Sequence, residues 1–286
     1  MAKLIDLRHL GCPGVIAVYL LEESEPALVD CGPTVCAETL EAGLAEHGLA
    51  LTDVRHILLT HIHPDHAGAA GTLVRRHPGL QVHVHEVGAP HLVDPARLER
   101  SARRLYEDAF DRFFGEIAPV PAENVHVLGD EILALEVVPT PGHAWHHVAF
   151  FDGEGACYAG DALGCLMPPG RFLYPAAAPP EIDLEAWDAS FDAIERRRPA
   201  VVRLPHFGEH ADAAAIVALA KSKLHSWAER VRGGSTAEAF VEAAEAELQA
   251  EAPGAVALYR HMPGFELTYA GIRRYYDRQA GREERT

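Results

Sequence analysis

The stretch His61-Ile62-His63-Pro64-Asp65-His66, directly after the apolar run Ile57-Leu58-Leu59, constrains this chain more than any other feature. It sets three imidazoles and one carboxylate within six residues, at the end of a buried strand. Neutral imidazole nitrogen and carboxylate oxygen are the donors that a borderline ion such as Zn²⁺ accepts, at roughly 2.0–2.2 Å. Pro64 cannot donate to a sheet ladder, so the strand ends there and the chain turns. The turn lets His61 and His63 face one point while Asp65 and His66 face a neighbouring one. Four donors this close in sequence divide more naturally between two ions than they crowd onto one. The plain alternative is a His-rich surface loop, in a chain that carries 18 His among 286 residues.

Three further strand tips weigh against that alternative. Val137-Val138-Pro139-Thr140-Pro141-Gly142-His143 is a β-branched run that breaks at Pro-Gly and presents a histidine just beyond. Ala156-Cys157-Tyr158-Ala159-Gly160-Asp161 is a short strand ending in a carboxylate. Val201-Val202-Arg203-Leu204-Pro205-His206 is another, ending in a histidine. Sites of layered α/β folds gather at such strand ends.

The ordered set HxHxDH, a His in a TPGH turn, an Asp in a GD turn and a late His resembles the metallo-β-lactamase superfamily of metallohydrolases, over about residues 4 to 210. Val29-Asp30-Cys31-Gly32 resembles that family's early VDxG turn, whose Asp supports the metal loop from behind. The resemblance implies an α/β fold, an αββα sandwich. It implies one metal held by His61, His63 and His143, a second held by Asp65, His66 and His206, and Asp161 bridging the two. Two divalent ions, Zn²⁺ first with Fe or Mn as alternatives, would generate hydroxide near neutral pH and stabilise an oxyanion. Asp65 would orient the attacking hydroxide and return a proton to the leaving group.

The superfamily holds many activities, so composition has to narrow them. A net charge of −17, with Lys3, Lys221 and Lys223 the only lysines, speaks against a phosphate-backbone substrate, and no nucleic-acid partner is expected. No run approaches the roughly 20 apolar residues of a membrane span, and Met1 to Asp6 lacks a signal-like apolar core, so a cytoplasmic protein with no membrane partner is expected. The five cysteines, Cys12, Cys31, Cys36, Cys157 and Cys165, are scattered without CxxC spacing and read as small core residues. Cys165, four residues past Asp161, is also a candidate for lining a substrate pocket.

These residues predict a binuclear hydrolase of a small carbonyl substrate: a thioester, lactone or ester. Glyoxalase II-like and lactonase-like activities both lack a clear match for residues those branches use. The alternative is a mononuclear iron oxygenase resembling persulfide dioxygenase, with His61, His143 and Asp161 as its two-His-one-carboxylate set. A nuclease, or a non-catalytic module whose metals only hold shape, ranks lower.

The chain reads as a catalytic domain, 1–210, and a helical C-terminal region, 211–286. Strands are predicted at Leu4 to Leu7, Val15 to Leu21 and Ala27 to Val29, with an acidic turn at Glu22 to Pro26. A helix is predicted over Thr34 to His47, closing at Gly48, another from His66 to His77, and a strand from Gln81 to His85. Ala176 to Pro180 reads as a flexible connection. Asp94 to Gly115 reads as a helical insertion with an aromatic face, from which Phe110 and Phe113 are taken as candidate pocket residues. Helices are also predicted over Ala211 to Gly233, Thr236 to Ala250 and Gly264 to Gln279. The insertion and these helices would wall the cleft, cap the sandwich or form a homodimer interface, and the sequence leaves these open.

Of the remaining histidines, His146 and His147 are expected to support the ligands by hydrogen bonding, with His147 counted beside Asp30 in that role. His83 and His85 share a strand face near His91, without a carboxylate partner. His9, His47, His56, His77, His126, His210, His225 and His261 are expected at the surface or at helix ends.

Overall fold

A computed structural model describes residues 2–22 and 25–283. Its chain forms two compact units, Met1–Pro139 with His146–Gly153, and Thr140–Trp145 with Glu154–Thr286.

The first unit is built on a sheet ordered β1 (Ala2–Asp6), β2 (Ala17–Leu21), β3 (Ala27–Val29), β4 (His56–Leu58), β5 (Gln81–Val84) and β6 (Val125–Val127). β1 to β3 pair antiparallel, and β3 to β6 pair parallel. Parallel neighbours require crossovers, and helices supply them. These are α1 (Ala37–Glu46), α2 (Pro64–Ala67), α3 (Ala70–Arg76), α4 (Ala89–Val93), α5 (Ala96–Tyr106) and α6 (Phe110–Phe113). An antiparallel ladder, β7 (Glu131–Ile132), β8 (Leu135–Pro139) and β9 (Val148–Phe151), completes the unit. Leu20, Leu28, Ile57 and Leu58 are all buried and β2 to β4 run without the alternation of a half-exposed sheet, whereas β5 alternates, with Val82 and Val84 buried and Gln81 and His83 half-buried.

In the second unit, β10 (Ala156–Tyr158) pairs parallel with β11 (Val201–Leu204), which pairs antiparallel with β12 (Gly208–His210). Its helices are α7 (Leu184–Arg197), α8 (Ala213–Arg232), α9 (Ala237–Glu251), α10 (Val256–Tyr259) and α11 (Phe265–Glu283). Asp183, Asp212 and Thr236 cap α7, α8 and α9 by accepting from the backbone N–H three residues on. Trp227, in the C-terminal half of α8, is fully buried against Phe172, Tyr174, Phe240 and Phe265.

The structure departs from the sequence reading in four places. The helix expected from His66 to His77 is broken into α2 and α3, because the His66 carbonyl accepts from Cys31 N and Gly32 N at 2.8 and 3.0 Å instead of continuing the helix. The segment Ala176 to Pro180 is no flexible connection: Ala176 and Ala177 are buried beneath α11. His9 is buried and donates from Nε2 to the Phe113 carbonyl at 2.8 Å, although no cluster surrounds it in sequence. His83 faces His56 and His126 on neighbouring strands, not His85 and His91. Glu23 and Ser24, within the acidic turn, lie outside the described residues.

The insertion has its own small core. Phe110 is fully buried there with Ala102, Phe114 and Ile117, while Phe113 and Tyr106 pack at its edge. Cys31, Cys36, Cys157 and Cys165 are buried, and Cys12 is half-buried. Cys165 Sγ lies 3.5 Å from Met262 Sδ, beside the loop that precedes α11. None of the described helices is long and apolar enough to cross a membrane.

Candidate metal centre

In the first unit the metal loop begins where β4 ends, and its course is set by Asp30. Thr60 N donates to Asp30 Oδ1 at 2.8 Å, and the Thr60 hydroxyl lies 3.0 and 2.9 Å from the two carboxylate oxygens. That hydroxyl has one proton to give, and the carboxylate takes it. It therefore accepts from His61 Nδ1, 3.1 Å away. His66 donates from Nδ1 to Asp30 Oδ2 at 2.9 Å. One buried carboxylate thus fixes His66 directly and His61 through a hydroxyl. Asp30 holds φ +60, a left-handed conformation that Asp tolerates better than most residues.

The rings gathered by this network are close. The centroid of His61 is 4.6 Å from that of His63 and 4.0 Å from that of His66. His61 and His63, His61 and His66, and Asp65 and His66 each offer ligand atoms within 4.8 Å of one another. His61 and His66 are buried, whereas His63 and Asp65 are half-buried. Behind them, Ile62 N donates to His146 Nδ1 at 3.4 Å, and the buried ring of His147 lies 5.0 Å from that of His61. Trp145 turns outward and is exposed, so the bulky Trp145-His146-His147 run places only its histidines inside.

In the second unit three donors meet at Asp161, on a 3₁₀ turn (Gly160–Leu163) that follows β10. His143 Nε2 is 3.7 Å from Asp161 Oδ2, and His206 Nε2 is 3.7 Å from Asp161 Oδ1. Both distances exceed a hydrogen bond. They are close to the roughly 3.4 Å that separates two donors held at about 2.1 Å on one tetrahedral ion. His143 donates from Nδ1 to the Ala176 carbonyl at 2.6 Å. Trp187 Nε1 donates to Ala162 O at 2.7 Å, pinning the Asp161 turn to α7. Gly142, with φ +132, lies so close to α7 that a Cβ there would sit 2.4 Å from Trp187 Cα.

The donor set fits divalent ions. His61, His66 and His143 each donate a hydrogen bond from Nδ1–H to a protein acceptor, which selects the tautomer whose Nε2 carries the lone pair. Thr60 and the Ala176 carbonyl are the functional groups that sequence reasoning missed. A hydroxyl directly before His61 was readable as a signal; a backbone carbonyl 33 residues from its histidine was not.

Comparison with known proteins agrees with this geometry. Over 172 residues the chain is 30% identical to the uncharacterized protein YobT of Bacillus subtilis, 56% of this chain and 70% of that protein. Over 164 residues it is 35% identical to a hydroxyacylglutathione hydrolase of Rhodopseudomonas palustris, 56% of this chain but only 54% of that protein. The crystal structure of metallo-β-lactamase family protein TTHA1429 from Thermus thermophilus superposes with a TM-score of 0.70 at 26% identity, covering 98% of this chain and 94% of that one. The archaeal protein ST1585 from Sulfolobus tokodaii, at 20% identity and a TM-score of 0.64, shares the fold, over 78% of this chain and 86% of its own. Because the sequence pattern of the metallo-β-lactamase superfamily matches residues 13–206, a span that carries every donor described above, the chain belongs to that superfamily and has its α/β sandwich fold.

Proposed function

We propose that this protein is a binuclear metal-dependent hydrolase that cleaves a small carbonyl substrate, a thioester, lactone or ester. His61, His63 and His143 would hold one ion, Asp65, His66 and His206 would hold the other, and Asp161 would be shared between them. The observation that carries the reading is the shared tautomer of His61, His66 and His143, each with Nδ1 engaged by the protein. When bound, a pair of such ions lowers the pKa of water and polarises the attacked carbonyl.

The chain's own residues do the rest. Asp30 and Thr60 hold the His61 and His66 rings in register for ligation. Asp65, half-buried with Oδ2 3.8 Å from His66 Nε2, orients the attacking water and passes its proton to the departing thiol or alcohol. The buried Asp161 presents one oxygen to His143 and the other to His206, which would let one carboxylate serve both imidazoles' ions. Similarity to hydroxyacylglutathione hydrolase supports a thioester first, although this chain spans about half the length of that relative.

Iron is the metal to set against zinc, since a similar structure, TTHA1623, is in a di-iron-bound form, with 28% identity and a TM-score of 0.52. Elemental analysis of protein purified without chelator, joined to a screen of thioesters and lactones, tests the reading. About two ions per chain, with hydrolysis that is lost on chelation and restored by metal, is expected. One iron per chain with oxygen consumption on thiol persulfides would replace it by the oxygenase.

A further inference from the structure

A second group of imidazoles stands on the first unit's sheet, spread over β4, β5 and β6. His56 opens β4, His83 lies within β5 and His126 within β6. In register, His83 is directly opposite His126 and next to Leu58, two residues along from His56, so the three side chains share one face. His56 Nδ1 is 3.0 Å from His83 Nε2, and the His83 ring stacks on that of His126 with centroids 5.2 Å apart. All three are half-buried. His126 Nε2 meets the Gln81 side-chain oxygen, and His56 Nε2 faces the Glu25 carboxylate at 3.5 Å.

We infer that this histidine ladder is a binding site for a further divalent d-block ion, one that prefers right-angled coordination, as Ni²⁺ and Cu²⁺ do. Two bonds of about 2.0–2.1 Å to nitrogens 3.0 Å apart enclose an angle of roughly 95°, nearer to square-planar or octahedral geometry than to the tetrahedral angle that zinc adopts. Glu25 occupies the position of the carboxylate in a carboxylate–histidine–metal triad: a proton on His56 Nε2 turned toward Glu25 leaves the Nδ1 lone pair facing His83, whose bridging Nε2 proton passes to solvent as the ion binds while the ring keeps a proton on Nδ1. His126 supplies a third imidazole when it exchanges Gln81 for the ion. Neither the ladder nor its partners belong to the catalytic donor set, so the inference stands apart from the proposed hydrolysis.

Equilibrium dialysis of the zinc-loaded protein against micromolar Ni²⁺, with elemental counting of both metals, tests the site in wild type and in the variants His83→Gln and His56→Gln. Wild type is expected to take one Ni²⁺ per chain more than either variant, while zinc content and hydrolytic rate are the same in all three. Equal nickel in wild type and in a variant whose circular dichroism matches it would overturn the inference. Nickel gained only in step with zinc lost would overturn it too. His126→Gln is expected to weaken nickel binding several-fold without removing the equivalent, and since it leaves the His56–His83 pair in place it reports on the ladder even where His83→Gln fails to fold.

Discussion

His143 and Ala176 are joined by a 2.6 Å hydrogen bond from the imidazole Nδ1 to the backbone carbonyl. The carbonyl is held in place from the C-terminal side. A Cβ on Gly271 of α11 would lie 2.0 Å from the oxygen of Ala177, the next residue, so this helix rests directly on the segment that orients the ligand. Tyr174, just upstream, is anchored through its hydroxyl to Pro263 O and Thr268 Oγ1, each at 2.7 Å. The C-terminal helices therefore reach the metal donor set through one short stretch of backbone.

Gly271→Ala is accordingly expected to displace residues 176 and 177 from α11, disturbing the bond to His143, and to weaken metal binding about tenfold, the lower end of what lost outer-shell partners cost. Competition against a chromophoric chelator measures it. An unchanged affinity would show that α11 only covers the segment without orienting the ligand.

Thr60 stands between Asp30 and His61, and its hydroxyl is expected to matter more than its bulk. Thr60→Val keeps the shape but leaves the buried Asp30 carboxylate short of a donor, at a cost of about 1–3 kcal/mol in stability and 10–100-fold in metal affinity. Thr60→Ser should recover most of both. Urea denaturation and chelator competition on the pair separate this from a packing effect: a loss in Thr60→Ser with none in Thr60→Val would mean that the methyl group, not the hydroxyl, is what counts.

Gly142→Ala meets the α7 backbone at Trp187 and places a side chain at φ +132. Overpacking against backbone has no cheap relaxation, and the strained conformation adds to it, so a loss of about 2–4 kcal/mol is expected. The displacement also moves His143, the next residue. A thermal melt that matches wild type would mean that α7 shifts freely, contrary to its bonds from Trp187 Nε1 to Ala162 O and from Ser190 Oγ to Pro141 O.

What the sequence made legible and what it hid follow one division. The placement of His61, His143, Asp161 and His206 is readable because a strand's apolar run and its breaker mark the tip, and all four stand just past such tips. The strand cores were readable for the same reason. The break between α2 and α3 was not, because it depends on the His66 carbonyl bonding to Cys31 and Gly32, more than thirty residues away in sequence. The burial of His9, at the start of a short 3₁₀ turn, is not legible in the sequence, because for a lone histidine it is decided by a partner in the insertion, the Phe113 carbonyl. Phe110 was singled out for its aromaticity, yet its surroundings are the insertion's own core. Periodicity reports which face is apolar, but not what covers it.

Stability at alkaline pH is a further consequence of burial. The Cys36 thiol is pushed up to about 12 by its removal from water and by the nearby Asp6 carboxylate. The Tyr174 and Tyr259 hydroxyls are raised as well, chiefly by burial. An unfolded thiol ionises near 9, so between pH 9 and 12 the unfolded chain releases a proton that the folded chain keeps. The slope then favours unfolding as pH rises, by at most about 1.4 kcal/mol per pH unit for each such group. Urea midpoints are expected to be flat from pH 7 to 8.5 and to fall from pH 9 to 11, less steeply in Cys36→Ala than in wild type. Parallel slopes in the two proteins would show that Cys36 ionises as readily in the folded state as in the unfolded one. The same burial makes Cys36 inert to iodoacetamide at pH 8 in the folded protein, while the half-buried Cys12 reacts.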